Sequence, residues 1–177
     1  MKSVAWAAAL VAVALGLALL VVTSDHGESL WEHEEVFNHG FRVYQSTTAC
    51  VCLIHLPGGE RGGTEVDLPA ASIDILPSVL ALLGAKAPDG ADGSTIDLRM
   101  LDESWSRMVR FGQASKPWEH IETDPRWPNM TKSRFIREGP FKFVQTPYLG
   151  TEELYNLDRD PEETDNLLDS PSEEHVR

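Results

Sequence analysis

The chain of 177 residues is long enough for one domain with a hydrophobic core, and its hydrophobic share of 42% is normal for a globular protein. It carries 28 acidic against 15 basic residues, which gives a formal net charge of −13. So acidic a chain does not hold phosphate backbones by electrostatic attraction, and we expect no nucleic acid among its partners.

The N-terminal stretch is apolar and carries no charge from residue 3 to residue 24. Its length is enough to cross a bilayer, and Lys2 ahead of an apolar run is also typical of a signal peptide. A third interpretation is a short helix over residues 3–15 that turns at Gly16 into a buried strand over residues 17–23. The first two interpretations predict an exported or membrane-associated protein with membrane contact through residues 3–22, and the third predicts a soluble one.

The strongest chemical signal stands where the predicted strand ends, at Asp25, His26 and Gly27. A carboxylate and an imidazole in succession can reach one cation if the backbone turns there, and glycine permits a turn. Oxygen ligands favour Ca²⁺ or Mg²⁺, and imidazole favours Zn²⁺ or Mn²⁺. The same residues could form a plain turn in which the aspartate bonds its own backbone. His39, which also precedes a glycine, could hold an anionic ester oxygen or be a surface histidine.

We assign no chemistry to the other polar side chains of the loop after Gly27. Most loop glutamates are solvated, so Glu28, Glu32 and Glu34 are left out of the candidate site. His33 is interpreted as a structural hydrogen-bonding residue rather than a catalytic one.

Downstream of the loop the pattern is that of an α/β fold. Residues 51–56 form a second apolar strand. Cys50 and Cys52 are predicted to be buried thiols, because a disulfide between residues i and i+2 of a strand would be strained. Residues 74–84 form the clearest helix, with an apolar stripe at helical spacing, Asp74 as its N-cap and Gly84 just past its end.

From about residue 105 the pattern changes. Three short segments that contain aromatic residues, about 106–113, 132–138 and 141–147, predict a small antiparallel sheet. Residues 160–163 read Asp-Pro-Glu-Glu and predict the start of a terminal helix, after which residues 169–177 are expected to be disordered.

Four ordered motifs resemble the C-terminal half of the type I sulfatases, in the alkaline-phosphatase superfamily. They are residues 23–44, with T-S-D-H-G-E-x-L-x-E-H and a later H-G-x-x-x-Y, residues 51–58, residues 74–84, and residues 153–167, with E-L-Y-N-L-x-x-D-P-x-E-x-x-N-L. The resemblance implies a partial alkaline-phosphatase-like sheet with helices, followed by the small antiparallel sheet and the terminal helix. It implies that Asp25 and His26 are ligands of a divalent cation, calcium in most of the family, with manganese or zinc as alternatives. It also implies that His39 contacts the sulfate group of the substrate.

The nucleophile motif of that family, C-x-P-S/A-R, is absent from the 177 residues, since neither Cys50 nor Cys52 begins it. The resemblance therefore predicts the C-terminal part of a metal-dependent sulfuric ester hydrolase that is inactive alone. Once complemented, it would act on a sulfate-ester small molecule or glycan. One alternative is a phosphate or phosphonate ester hydrolase or transferase of the same superfamily, and another is a non-catalytic membrane-tethered remnant.

These patterns divide the chain into four parts. We expect an apolar segment over residues 1–16, the C-terminal part of a sulfatase α/β core over 17–104, a small α+β subdomain over 105–168 and a tail over 169–177.

Overall fold

The computed structural model describes residues 18–34, 37, 39–66, 69–98, 108–115 and 133–169. In chain order the helices and strands are β1 (Leu20–Thr23), α1 (Gln45–Thr48), β2 (Cys52–His55), α2 (Ile75–Leu82), β3 (Arg110–Ala114), β4 (Ser133–Glu138), β5 (Phe141–Thr146) and β6 (Thr151–Asn156). The interpretations of residues 3–17 and of the tail from residue 170 onward lie outside the described residues. Among the helices of the described part, none has the length and apolar character that crossing a bilayer requires.

The chain divides into two units, the first made of residues 1–25 and 50–67 and the second of residues 26–49 and 68–177. In the first unit β1 and β2 pair antiparallel, with Val22 opposite Leu53. The strand of the third interpretation and the second apolar strand therefore both form, but the burial expected for the first strand is wrong. Leu20, Val22 and Leu53 share one face of this ribbon, and each is 48–63% exposed. Pairing satisfies the backbone hydrogen bonds of the two strands, and it leaves that apolar face uncovered.

The prediction of two buried thiols is also wrong. Cys50 and Cys52 are both exposed and do not form a disulfide. Cys52 lies opposite Thr23 at the end of the same two-stranded ribbon. A ribbon of two strands covers few of its own side chains, so an apolar sequence context did not ensure burial.

The predicted helix is confirmed as α2, after a short 3₁₀ turn over Ser72–Asp74. Gly84 follows the helix with φ +71°, in the left-handed region. The Ala85 N–H donates to the Leu80 carbonyl at 2.8 Å. This closes the last turn of the helix as the sequence indicated.

Asp74 does not cap α2 through its side chain. Its buried carboxylate instead accepts the N–H groups of Ala71 at 2.9 Å and Ser94 at 2.8 Å. It also pairs with the guanidinium of Arg110 at 3.0 Å. Asp74 therefore joins the start of the helix to the loop at residue 94 and to β3.

Strands β3 to β6 form a four-stranded antiparallel meander in the second unit. The predicted small sheet is confirmed, and β6 is a fourth strand that the sequence patterns did not predict. Val43 and Tyr44, which precede α1, pack into one core with sheet residues. The sheet members of this core are Ala114, Val144, Tyr155 and the adjoining Leu157. The sheet therefore supports the segment that leads into α1.

The mixed α/β class is confirmed, but the terminal helix is not formed. Residues 157–169 form turns instead. The Asp160 carboxylate accepts the N–H groups of Thr164 at 3.1 Å and Asp165 at 2.9 Å, four and five residues on, whereas a helix N-cap accepts those two or three residues on. Glu163 also has φ +57°, a left-handed conformation that interrupts an α-helix.

Candidate functional site

The loop that carries the candidate residues packs directly on the backbone of α1. The Gly27 N–H donates to the carbonyl oxygen of Thr47 at 2.9 Å. A Cβ atom at Gly27 would collide with the carbonyl oxygen of Ser46. Gly27 is therefore required by the close approach of two backbone segments, and not by a left-handed turn.

Three side chains of this loop meet: His26, Glu28 and His39. The two imidazole rings stack with their centroids 4.0 Å apart and their planes 19° apart. His39 Nδ1 lies 3.0 Å from Glu28 Oε2. One potential ligand atom from each of the three residues lies within 4.8 Å of the others. The structure thus brings the predicted cation ligand His26 to the predicted sulfate contact His39.

Asp25, the other predicted ligand, stands at the end of the β1 segment in the first unit, one residue before His26. Its side chain is exposed. Its role as a cation ligand stays a prediction, and so does the role of His39 toward sulfate.

Glu28, for which the sequence predicted no role, contacts His39. The side chains of His39 and Glu28 are 39% and 38% exposed, so a small ligand can reach them from solvent. No signal in the sequence separated Glu28 from the nearby glutamates. The Glu32 carboxylate, for comparison, folds back onto the N–H groups of Leu30 at 2.7 Å and Trp31 at 3.1 Å. Backbone donors, the N–H of Glu32 itself first among them, lower the pKa of that carboxyl.

A second layer of contacts holds the loop against the C-terminal turns. The His33 ring stacks on the Tyr44 ring with the centroids 3.5 Å apart, and its Nε2 lies 3.1 Å from the Glu162 carbonyl oxygen. The Tyr44 hydroxyl donates to the Glu153 carboxylate at 3.0 Å. Burial, and next the charge of Glu153, raise the pKa of Tyr44 to about 12, so this hydroxyl stays protonated. His33 thus makes structural contacts in this loop.

The most deeply buried charges of the described residues lie beside α1. Lys142 Nζ pairs with Glu163 Oε1 at 2.8 Å, and both side chains are almost fully buried. The other oxygen of Glu163 accepts the N–H of Gln45, and Lys142 donates to the Gln45 side chain at 3.1 Å. This ion pair therefore fixes β5, the C-terminal turns and the start of α1 to one another.

The donor set of the cluster suits a divalent cation. Imidazole nitrogens suit Zn²⁺, and the carboxylate also suits Mn²⁺. Calcium takes six to eight oxygen ligands, and Glu28 is the member of this cluster that offers oxygen. A calcium ion would thus need further oxygen ligands.

Known proteins that resemble the chain carry sulfatase names, although no family model matches it. The Escherichia coli K12 protein YidJ, named an uncharacterized sulfatase, is 31% identical over 150 residues, which are 85% of this chain and 28% of YidJ. The Δ4,5-hexuronate-2-O-sulfatase of Bacteroides thetaiotaomicron is 26% identical over 157 residues, or 86% of this chain and 31% of that enzyme. The chain thus spans less than one third of the length of these relatives.

Solved structures share the fold. The crystal structure of a putative sulfatase from Bacteroides thetaiotaomicron superposes with a TM-score of 0.72 at 23% identity, over 89% of this chain and 33% of that one. The phosphonate monoester hydrolase of Agrobacterium radiobacter superposes with a TM-score of 0.68 at 25% identity, over 90% of this chain and 32% of that one. The chain is therefore homologous to part of the sulfatases, in the alkaline-phosphatase superfamily.

Proposed function

We propose that the chain supplies cation-binding and sulfate-binding residues of the active site of a metal-dependent sulfuric ester hydrolase. In this proposal Asp25 and His26 are cation ligands, and His39 contacts the sulfate group. The observation that carries it is the approach of the His39 ring to the His26 ring, with 4.0 Å between the centroids. A cation offsets the charge of a bound ester only if the residues that bind the cation lie next to the residues that bind the ester.

The residues of the loop have distinct tasks in this reaction. The bound cation supplies positive charge that offsets the negative charge of the ester. His39, when protonated, donates a hydrogen bond from Nε2 to an ester oxygen, while Glu28 accepts from Nδ1. The contacts between His33, Tyr44 and Glu162 hold the loop in position while the ester binds.

The nucleophile has to come from outside these 177 residues, on the same polypeptide or on another. None of the 177 residues forms a C-x-P-S/A-R motif, and the relatives are about three times as long. We expect the purified chain to show no turnover of p-nitrophenyl sulfate with calcium or manganese. Clear metal-dependent hydrolysis by the chain alone would contradict this assignment.

A chimera tests the proposal itself. Residues 18–169 of this chain would replace the matching part of the Bacteroides hexuronate sulfatase, and circular dichroism would confirm that the chimera folds. We expect metal-dependent hydrolysis of p-nitrophenyl sulfate, its loss in Asp25→Asn, and a higher KM in His39→Gln. His55→Gln, a histidine of β2, is the matched control and should keep the activity. A folded chimera without hydrolysis would refute the proposal.

The names of similar proteins favour a substrate class for the complete enzyme. One relative is named for removing a 2-O-sulfate from a hexuronate, so a sulfated sugar or glycan is the substrate that we propose for the complete enzyme. The phosphonate monoester hydrolase among the structural neighbours favours a second candidate, hydrolysis of a phosphate or phosphonate ester. Assays of the chimera with p-nitrophenyl phosphate and a phenylphosphonate ester separate the two reactions.

A further inference from the structure

We propose that Trp31 is the residue on which the sugar ring of the substrate stacks, beside the residue that contacts its sulfate group. This inference rests on the proposed function, because the sulfate contact assigned to His39 is what brings the sugar to this loop. Trp31 itself binds neither the cation nor the sulfate, so the inference adds a residue that recognises the sugar.

The Trp31 side chain lies in solvent although it is large and apolar. Of the large apolar side chains that the structure describes, those of Phe37 and Trp31 are the most exposed, at 77% and 74%. Tryptophan is highly buried on average in folded proteins, and it is enriched among the residues that contribute most to binding free energy. An exposed indole within a candidate binding loop therefore indicates a ligand contact.

The backbone that carries Trp31 is fixed by hydrogen bonds on both sides. The Glu32 carboxylate accepts the N–H groups of Leu30 at 2.7 Å and of Trp31 at 3.1 Å. The hydroxyl of the buried Ser29 donates to the Glu32 carbonyl oxygen at 2.9 Å. A side chain on a fixed backbone loses less conformational entropy when it contacts a ligand, and this favours binding.

The covalent chain keeps Trp31 close to the proposed sulfate contact. Glu28 Oε2 lies 3.0 Å from His39 Nδ1, and Trp31 is three residues after Glu28. Three residues of extended chain span at most about 11 Å, so the Cα atoms of Glu28 and Trp31 are no further apart than that. A monosaccharide whose sulfate group contacts His39 can therefore reach the indole with its ring.

The chemistry of indole suits a sugar ring. One face of a pyranose carries several C–H groups, and their weakly positive hydrogens pack against the negative face of an aromatic ring. The indole N–H can in addition donate a hydrogen bond to a sugar hydroxyl. A sulfate group presents neither an apolar face nor a flat ring, so Trp31 would recognise the sugar and His39 the ester.

Phe37, two residues before His39, is the alternative stacking residue. It is as exposed as Trp31, but its ring has a smaller face and no N–H group. We therefore assign the sugar to Trp31, and the variant Phe37→Ala tests the choice.

An NMR titration of the full chain tests the contact without any enzyme activity. The chain contains five tryptophans, so comparison with Trp31→Phe identifies the indole ¹H–¹⁵N resonance of Trp31. In the presence of calcium, we expect glucose 6-sulfate to shift this resonance and inorganic sulfate at the same concentration to leave it in place. No shift with glucose 6-sulfate, or equal shifts with both, would overturn the inference.

The chimera described above tests the same contact during turnover. Trp31→Ala should raise the KM for a 2-O-sulfated hexuronate about 3- to 10-fold, the range expected of one aromatic contact, and leave the KM for propyl sulfate unchanged. Trp31→Phe should restore most of the loss. Phe111→Ala is the matched control, because Phe111 is 73% exposed and lies on the face of β3 opposite Ala114, which packs with Tyr44. It should change neither KM.

The remaining outcomes separate this inference from its rivals. If another part of the complete enzyme covers Trp31, Trp31→Ala should lower the melting temperature of the chimera and leave both KM values unchanged, which would overturn the inference. A rise in the sugar KM in Phe37→Ala but not in Trp31→Ala would overturn it as well. A shifted Trp31 resonance beside an inactive chimera would refute only the hydrolase proposal, whereas an active chimera that is indifferent to Trp31→Ala would refute only the sugar contact.

Discussion

At the scale of single residues, the ion pair between Lys142 and Glu163 explains how a charged side chain lies on the buried face of β5. Strand β5 reads Phe-Lys-Phe-Val-Gln-Thr, and its alternation places Lys142, Val144 and Thr146 on the buried face while Phe141 is 39% exposed. Hydropathy alone would predict the reverse arrangement, with Phe141 and Phe143 on the buried face. Lys142 is tolerated inside because the Glu163 carboxylate and the Gln45 side chain satisfy its ammonium group. Glu163 is 21 residues away in sequence, and no local rule pairs the two.

Removing the charge of Glu163 should destabilise the chain strongly. Glu163→Gln leaves the ammonium of Lys142 buried without its counter-ion, and breaking a buried pair in this way costs about 3–5 kcal/mol. The free energy of unfolding, from urea denaturation followed by circular dichroism, measures the loss. The second substitution Lys142→Met should recover part of the stability, because it removes the uncompensated charge.

The matched control for this pair is Lys86 with Asp89, which lie 3.2 Å apart but are 87% and 96% exposed. Water screens such a pair, so Lys86→Met should leave the urea midpoint close to that of the wild type. Equal effects of Lys86→Met and Glu163→Gln would show that burial does not govern the strength of these pairs.

At the scale of elements, the sequence suggested candidate residues in the loop that carries His26 and His39 but gave no indication of how these side chains meet. Residue types and spacing identified Asp25, His26 and His39 as candidates, but nothing in the pattern indicated that two imidazoles would stack or that Glu28 would bind one of them. The loop conformation depends on contacts with α1 and with the turn at residue 162, which are distant in sequence. Local propensity carries no information about such contacts.

Gly27→Ala should disturb the whole loop through a single methyl group. The added Cβ would collide with the Ser46 carbonyl oxygen, and overpacking of this kind typically costs about 1–3 kcal/mol. We expect a lower urea midpoint and changed ¹⁵N shifts of the His26 and His39 rings. Ser46→Ala removes the hydroxyl but keeps the carbonyl oxygen, so it should alter neither. Unchanged ring shifts in a folded Gly27→Ala chain would show that the packing on α1 does not set the histidine geometry.

At the scale of the molecule, sequence patterns predicted the kind of element better than its burial. The helix at Ile75–Leu82, the two apolar strands and three of the four strands of the meander form where expected. Apolar runs indicate faces that a complete fold buries, and this chain spans less than one third of the length of its relatives. Leu76 and Leu83 of the predicted helical stripe are likewise 54% and 65% exposed. The predicted terminal helix does not form for a different reason. Glu163 has a left-handed backbone conformation, which interrupts a helix, and its side chain pairs with the buried Lys142.

The exposed face of the β1–β2 ribbon should make the purified chain prone to self-association. Leu20, Val22 and Leu53 lie on that face, and Leu53 is 63% exposed. Leu53→Lys should therefore change the free energy of unfolding by no more than about 0.5 kcal/mol, as exposed substitutions usually do. It should also reduce light scattering and dye binding, because it interrupts the apolar patch with a charge. Ile54→Lys, on the opposite and less exposed face, is the matched control and should destabilise the chain. A large loss of stability in Leu53→Lys would mean that the face is covered in solution.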